Sequence, residues 1–127
     1  MIGYVTLGTN DLERAAAFYD ALAAELDTPR LMEEETLIAW GKPGGPAGVA
    51  AIKPFDGKPA TVGNGMIVAL EAKDTAQVDK LHEIALANGG TCEGKPGPRG
   101  DQGFYAAYFR DPDGNKLNAF VMSFPSD

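Results

Sequence analysis

The sequence predicts an α+β fold of two paired βαβββ modules, which form a curved mixed sheet with an open cup and carry their helices on the outer face. Three observations lead to this prediction. Short segments alternate apolar and polar residues as strands do, and two longer segments repeat apolar residues at helical spacing. The pattern also restarts near the middle of the 127 residues. A chain of this length builds one core, so we expect a single domain over 1–127 with internal modules at 1–55 and 65–127.

The first module begins with a strand at 2–7. Asn10 and Glu13 resemble a capping box at a helix start. Apolar residues then recur at helical spacing from Leu12 to Leu26, and Pro29 ends that element. Further strands are predicted at 30–35, 37–40 and 49–52, with the three glutamates of the first exposed at a sheet edge.

The second module repeats this order of elements. A strand at 66–70 precedes Asp74 and Gln77, which form a second capping box. Apolar residues at helical spacing follow as far as Ala85, and Asn88-Gly89-Gly90 closes the helix with a left-handed cap. Strands are predicted at 91–93, 104–110 and 116–124, and a tight turn over 111–114 joins the last two.

The repeat has a fixed offset. When the two halves of the sequence are aligned, 4–7 matches 67–70 and Asp11 matches Asp74, in each case with an offset of 63 residues. One half cannot cover both faces of its sheet, so the two halves are expected to pair. The helices then cover the face that carries Val5, Leu7, Val68 and Leu70. The opposite face curves into a shared cup lined by Tyr4, Thr6, Ile67 and Ala69.

Composition limits the partners and the compartment. A net charge of −7 repels phosphate backbones, which argues against a nucleic-acid partner and suits a cationic ligand. No apolar run reaches the length of a membrane span, so no membrane partner is expected. The start of the chain lacks the regions of a signal peptide, and the lone Cys92 cannot form an internal disulfide. These features predict a cytoplasmic protein.

Three segments give the chain a family resemblance. They are 4–14 with Phe18-Tyr19, then 64–70, and then 104–120, of which Tyr105 to Leu117 is the most specific. In these segments the chain resembles the vicinal oxygen chelate superfamily, which contains glyoxalase I, bleomycin-resistance proteins and extradiol dioxygenases. The resemblance implies paired βαβββ modules and a homodimer with the cup near its interface.

The resemblance also implies a divalent metal at the cup floor, held by the first and last strands of each module. The matching positions fall on Tyr4, Ile67 and Asn118, and the strand at 49–52 offers only apolar side chains. Catalytic metal sites draw about three ligands from His, Cys and carboxylates, and this chain has a single histidine, His82, on a helix. We therefore expect no metal and no other cofactor.

A cup without metal ligands resembles an apolar binding pocket with a few polar groups. The predicted ligand-binding residues are Tyr4, Trp40, Ile67, Arg99, Tyr105, Tyr108, Asn118 and Phe120. Tyr4, Asn118 and Arg99 would orient the ligand, and the faces that Tyr105 and Tyr108 occupy stay open. The Gly- and Pro-rich segment 94–103 is either a lid with Arg99 at its tip or an ordinary surface connection. His82 is expected to be a solvated helix residue and Cys92 an ordinary strand residue with no neighbouring histidine.

Three functions remain open from the sequence. The first is a metal-free member of the superfamily that binds a small organic molecule, as bleomycin-resistance proteins do by sequestration. The second is a glyoxalase-like lyase or isomerase, or a dioxygenase-like enzyme, with a non-standard metal site or with acid–base chemistry by Tyr4. The third is a structural or regulatory dimer whose cup is filled by side chains. An open pocket favours the first over the third.

Overall fold

The computed structural model describes residues 1–122 and contains two helices and eight strands within them. The first module consists of β1 (Tyr4–Gly8), α1 (Leu12–Glu25), β2 (Arg30–Glu33), β3 (Leu37–Trp40) and β4 (Gly48–Ile52). The second consists of β5 (Val68–Glu71), α2 (Thr75–Ala87), β6 (Thr91–Pro98), β7 (Phe104–Arg110) and β8 (Lys116–Met122). The prediction of an α+β fold with two βαβββ modules is confirmed. The predicted end of the last strand, at 123–124, lies outside the described residues.

Each module forms its own four-stranded mixed sheet. The strand orders are β1-β4-β3-β2 and β5-β8-β7-β6, with the first and last strand of each module parallel. Thr6 pairs with Ala50 in the first sheet, as Ala69 pairs with Asn118 in the second. Because Thr6 and Ala69 are repeat partners, Ala50 and Asn118 occupy equivalent positions.

The helix-facing sides of both sheets share one hydrophobic core. Helix α1 packs against β3 and β4, α2 packs against β6, β7 and β8, and the two helices pack against each other. Phe18 of α1 reaches across to Phe109 of the second sheet, with ring centroids 6.4 Å apart. Both sheets therefore turn their other faces away from the core. Because the helices meet between the sheets, the two cup-side faces of one chain do not enclose a cup together.

The N-cap residue of α1 differs from the predicted one, whereas that of α2 does not. The N-cap of α1 is Asp11, whose side chain accepts a hydrogen bond from the backbone nitrogen of Arg14. The predicted cap, Asn10, instead exchanges hydrogen bonds with the backbone of Ala60. The cap of α2 at Asp74 is confirmed, since its carboxylate accepts from the backbone nitrogen of Gln77 at 2.8 Å.

The strand β6 is longer than predicted, because it runs to Pro98 rather than ending at residue 93. It keeps its pairing with β7 through register shifts between Cys92 and Gly94 and between Gly94 and Gly97. Such bulges let a strand continue through glycines and prolines that would otherwise interrupt the ladder. Half of the predicted loop at 94–103 is therefore strand.

A buried hydrogen-bond network joins the modules at the turn between β7 and β8. Tyr19 of α1 donates from its hydroxyl to Oδ2 of Asp111 at 2.6 Å, and both residues are buried. Asn115 donates from Nδ2 to the same oxygen and to the backbone oxygen of Gly8 on β1. Burial, and then the neighbouring Asp111 carboxylate, raise the pKa of Tyr19 well above its ordinary value. The phenol therefore stays protonated and keeps donating.

A second set of contacts surrounds this network. Oδ1 of Asp113 accepts from the backbone nitrogen of Asn10 and from the guanidinium of Arg14, each at 2.9 Å. The tight turn predicted between the last two strands is thus also the main polar junction between the modules. Neither helix within residues 1–122 is long and apolar enough to cross a membrane.

We predict that Tyr19→Phe lowers the free energy of unfolding by about 1–3 kcal/mol, because it removes a buried hydrogen bond to a charged acceptor. Urea unfolding measures this loss. The control is Tyr105→Phe, which removes a bond of similar length, 2.7 Å to Asp79, in a solvent-exposed setting. Equal losses in the two variants would show that the junction adds no particular stability.

Candidate functional site

The face of the first sheet that turns away from the helices is mostly apolar. We call it the first open face; it carries Tyr4, Met32, Leu37, Ala39 and Ala50. A depression of about 400 Å³ lies over it, bounded on one side by the loop after β3. Tyr4 is 68% exposed at its edge. This face offers a shallow apolar surface with a single phenol.

The matching face of the second sheet is aromatic and polar. We call it the second open face; it carries Ala69, Phe104, Ala106, Tyr108, Lys116, Asn118 and Phe120. Phe104 and Phe120 stack with ring centroids 5.7 Å apart and planes 22° apart. Ala106 lies directly opposite Phe120 in the ladder and leaves the ring surface uncrowded.

Asn118 is the unusual residue of this face. It is 6% exposed on the central strand β8, between Ala69 and Tyr108. Within residues 1–122 its side chain makes no hydrogen bond, and Oδ1 is buried without a partner. Such an orphaned amide costs about 1–3 kcal/mol of stability. Unpaired buried polar groups are rare, and one that lies on an open face is a candidate ligand contact.

Two cations flank the ring of Tyr108. The guanidinium carbon of Arg99 lies 5.5 Å from the ring centroid, and Nζ of Lys116 lies 5.6 Å from it. Within the described chain, Lys116 makes no ion pair, whereas neighbouring Arg110 pairs with Glu93. Lys116 thus makes no direct ion pair among residues 1–122, although its charge, after that of Arg110, helps to lower the pKa of the Glu93 carboxyl.

Arg99 does not extend from the tip of a lid. Its Nη1 donates to the backbone oxygen of Gly97 and its Nη2 to that of Lys95. A Cβ on Gly94 would lie 3.2 Å from Nη2 of Arg99 and 3.2 Å from the ring of Tyr108, which is closer than ordinary contact. Because Gly94 has no side chain, the guanidinium of Arg99 and the ring of Tyr108 can both pack against β6. Arg99 therefore links the backbone of β6 to the ring of Tyr108.

Two predicted ligand contacts lie on the other side of their sheets. Trp40 is 4% exposed, its indole nitrogen donates to Asp20 of α1 at 2.7 Å, and its ring packs 5.4 Å from that of Tyr19. Its side chain alternates onto the helix-facing side, where it lines a cavity of about 570 Å³ together with Ile67 rather than the open face. Tyr105 likewise faces α2 and donates to Asp79, whereas Tyr108 occupies the open face.

The remaining predicted residues divide between the two modules. Tyr108, Asn118 and Phe120 come together on the second open face. Ile67 lies one residue before β5 and is 45% exposed. Tyr4 lies on the other sheet, so one chain does not bring the complete predicted set into one site.

The positions that would hold a divalent metal do not fit one. The four equivalent positions of the two sheets are Tyr4, Ala50, Ile67 and Asn118, which supply one phenol, one amide and two hydrocarbon side chains. Divalent transition metals are held by imidazole, thiolate and carboxylate groups. In the described part of the chain, no three His, Cys, Asp or Glu side chains cluster closely enough to bind a metal.

One pair of residues differs from its prediction. His82 is 8% exposed rather than solvated, and its Nε2 lies 3.2 Å from Sγ of Cys92. The expectation that Cys92 has no neighbouring histidine is wrong, because α2 packs against β6 and brings the two together. Burial lowers the pKa of His82 below its ordinary value, and the nearby Asp79 carboxylate opposes that shift.

Comparisons with known proteins agree with this architecture. A family model described as the Glyoxalase/Bleomycin resistance protein/Dioxygenase superfamily matches residues 1–119. A solved structure of a glyoxalase/bleomycin resistance protein from Albidiferax ferrireducens T118 is 38% identical with a TM-score of 0.88, covering 97% of this chain and 99% of that one. A hypothetical protein from S. aureus is 26% identical with a TM-score of 0.72, covering 93% and 91%.

A lactoylglutathione lyase from Agrobacterium tumefaciens is 22% identical with a TM-score of 0.67, covering 95% of this chain and 92% of that one. At this identity the likeness shows the fold alone. No match was found among curated proteins.

We predict that Asn118→Val raises the free energy of unfolding by about 1 kcal/mol, because it removes an orphaned amide and suits a strand. The matched change Asn115→Val should lower it by about 2 kcal/mol, since Asp111 and Gly8 lose their donor. Both asparagines are buried, so thermal or urea unfolding of the pair separates the two settings. A loss of stability in Asn118→Val would show that its amide has a partner in solution.

We also predict that stability falls as the pH drops below 6.5, the ordinary pKa of histidine. The folded state resists protonation of His82, so the unfolded chain takes up the proton first, and the loss is at most about 1.4 kcal/mol per pH unit. Urea unfolding at pH 7.5, 6.5 and 5.5 measures it. His82→Gln should flatten the slope, since His82 is the chain's one histidine. An unchanged slope would contradict this assignment.

Proposed function

The chain belongs to the glyoxalase/bleomycin resistance protein/dioxygenase superfamily, and on that premise we propose that it binds a small organic molecule without the family's metal ion. The binding pocket lies between two copies of the chain. The observation that carries this proposal is the buried and unpaired Oδ1 of Asn118, at a position where the family resemblance implies a metal ligand, on an aromatic and polar face. An amide there suits an organic ligand better than a divalent cation.

The open faces supply the argument for a homodimer. Several large apolar side chains on or beside them are exposed, namely Tyr4, Met32, Ile67 and Met122, at 68%, 49%, 45% and 41%. Within residues 1–122, β1 and β5 each have one strand neighbour, so each leaves an unpaired edge. Unpaired edges and contiguous apolar surface favour association. In a twofold dimer, the first open face of each chain can pack against the second open face of its partner. Such a dimer covers both open faces of both chains.

Such a dimer encloses two identical pockets with unlike walls. The first open face contributes the apolar depression with the hydroxyl of Tyr4. The second contributes the stacked Phe104 and Phe120 with the amide of Asn118. An apolar pocket with a few polar groups that fix orientation is the usual form of a small-molecule site. The depression over the first face also argues against a cup already filled by side chains.

The first test is metal content. The protein is purified without chelators and without a metal-binding tag, and Zn²⁺, Ni²⁺, Mn²⁺ and Fe²⁺ are titrated calorimetrically. We expect far less than one metal per chain and no tight binding, because the pocket lacks the donor set. Near-stoichiometric, tightly held metal would overturn the proposal and direct attention to lyase and dioxygenase assays.

The second test is assembly and ligand uptake. Light scattering should give twice the chain mass of 13.3 kDa, and the neutral aromatic probe 2-naphthamide should bind once per chain. Ile67→Asp places a charge beside the free edge of β5 and should abolish both. Leu86→Asp is the control, since Leu86 is similarly exposed, at 41%, but lies on α2. A monomer that still binds the probe would contradict a pocket shared between chains.

A further inference from the structure

We propose that the ligand class of this pocket is the small aromatic carboxylates. The carboxylate is held by Lys116 and Asn118, and the ring lies against Phe104 and Phe120. This inference rests on the proposed function, because it specifies what the same pocket recognises.

The local charge of the second open face is opposite to that of the whole chain. The chain carries −7, which suits a cationic ligand at long range. On this face, however, Arg99 and Lys116 both lie near Tyr108, and Lys116 makes no ion pair within residues 1–122. Contacts at a few ångströms outweigh a diffuse field that salt screens beyond about 10 Å. At this end of the face the cations Arg99, Arg110 and Lys116 outnumber the one carboxylate, Glu93, so the site prefers an anion.

Charge and ring surfaces lie in order along one strand. Lys116, Asn118 and Phe120 alternate on the same side of β8, so neighbours among them are about 7 Å apart. The carboxylate of Glu71 lies at the far end, since it pairs with Phe120. A molecule with its anionic group at the Lys116 end and its ring at the Phe120 end meets favourable groups at both. The reverse orientation brings its charge toward Glu71.

The polar group between these ends is ready for a carboxylate. Nδ2 of Asn118 has two N–H donors that donate to no group in residues 1–122, whereas its buried and unpaired Oδ1 is an acceptor and does not bind the carboxylate. A carboxylate oxygen accepts from that NH2 while its charge faces Lys116. A hydrogen bond to a charged acceptor is worth more than a neutral one. The hydrogen bond from Asn118 thus fixes the orientation of the carboxylate, which the charge of Lys116 alone does not.

Tyr108 and Arg99 position the lysine rather than bind the ligand. Nη1 and Nη2 of Arg99 already donate to backbone oxygens of the β6 segment, so its charge contributes mainly through space. The ring of Tyr108 attracts the ammonium of Lys116 by a cation–π contact. The lysine is thereby held on the open face, next to the amide of Asn118 on the same strand.

The aromatic end selects flat ligands. The stacked Phe104 and Phe120 present a ring surface, and the small Ala106 and Ala69 on the neighbouring strands leave room above the sheet. Planar rings stack on such surfaces with offset geometry. The carboxylate and rings of a fused two-ring acid can span the distance of about 7 Å from Asn118 to Phe120.

The test compares three probes of one shape and different charge on the intact dimer. The probes are 2-naphthoate, neutral 2-naphthamide and cationic 2-naphthylmethylammonium, titrated by calorimetry at pH 7.5. We expect 2-naphthoate to bind about tenfold more tightly than the amide, and the ammonium to bind most weakly. Lys116→Gln should remove this order, and Lys116→Arg should keep it. Lys80→Gln is the matched control, since Lys80 is exposed on α2, across the second sheet.

The outcomes separate the two proposals. Equal binding of the three probes, or an order unchanged in Lys116→Gln, overturns the carboxylate class and leaves a metal-free pocket standing. Failure of all three probes to bind overturns the pocket as well. Thermal unfolding of Lys116→Gln beside Lys116→Arg checks that any loss reflects charge rather than folding.

Discussion

The buried hydrogen bond between Tyr19 and Asp111 is the constraint on which the arrangement of the modules depends. It joins α1 of the first module to the turn between the last strands of the second, at 2.6 Å and away from water. Asn115 is the other donor to this Oδ2, and losing the Tyr19 donor would cost a charge-assisted bond in a buried setting, so the bond favours the arrangement with the helices inward. Because the helices meet in one core, the two sheets present their other faces outward, and the site must form on those faces.

The second open face keeps one polar group that folding alone does not explain. The hydrophobic side of β8 is filled by Leu117 and Ala119, which are fully buried, whereas Asn118 between them is buried on the other side without a partner. Sites that bind ligands often retain such unfavourable groups, since stability and function make different demands on a residue. The same strand places Lys116 and Phe120 on either side of Asn118, so one short segment carries charge, hydrogen bonding and ring contact.

Much of the candidate site was predictable from sequence, and the failures have specific causes. The strand positions of Asn118, Phe120 and Tyr4 follow from the repeat and the family resemblance, and the structure places them on the open faces. Trp40 was misplaced because apolar residues occur on both sides of β3, so alternation alone did not identify its side. The nearness of His82 to Cys92 was missed because it arises from α2 packing on β6, and no spacing along the chain encodes that contact.

The sequence by itself determined the elements and their order, because apolar periodicity, capping residues and the 63-residue repeat are local signals that survive without tertiary context. It also determined that the family metal positions carry no charged ligand. Only the tertiary structure decided which faces are open, that Asp111, Asp113 and Asn115 join the modules, and that Lys116 stands beside an unpartnered Asn118. These features depend on how the two halves of the chain pack against each other. Contacts between residues far apart in sequence cannot be predicted from the pattern of any single segment.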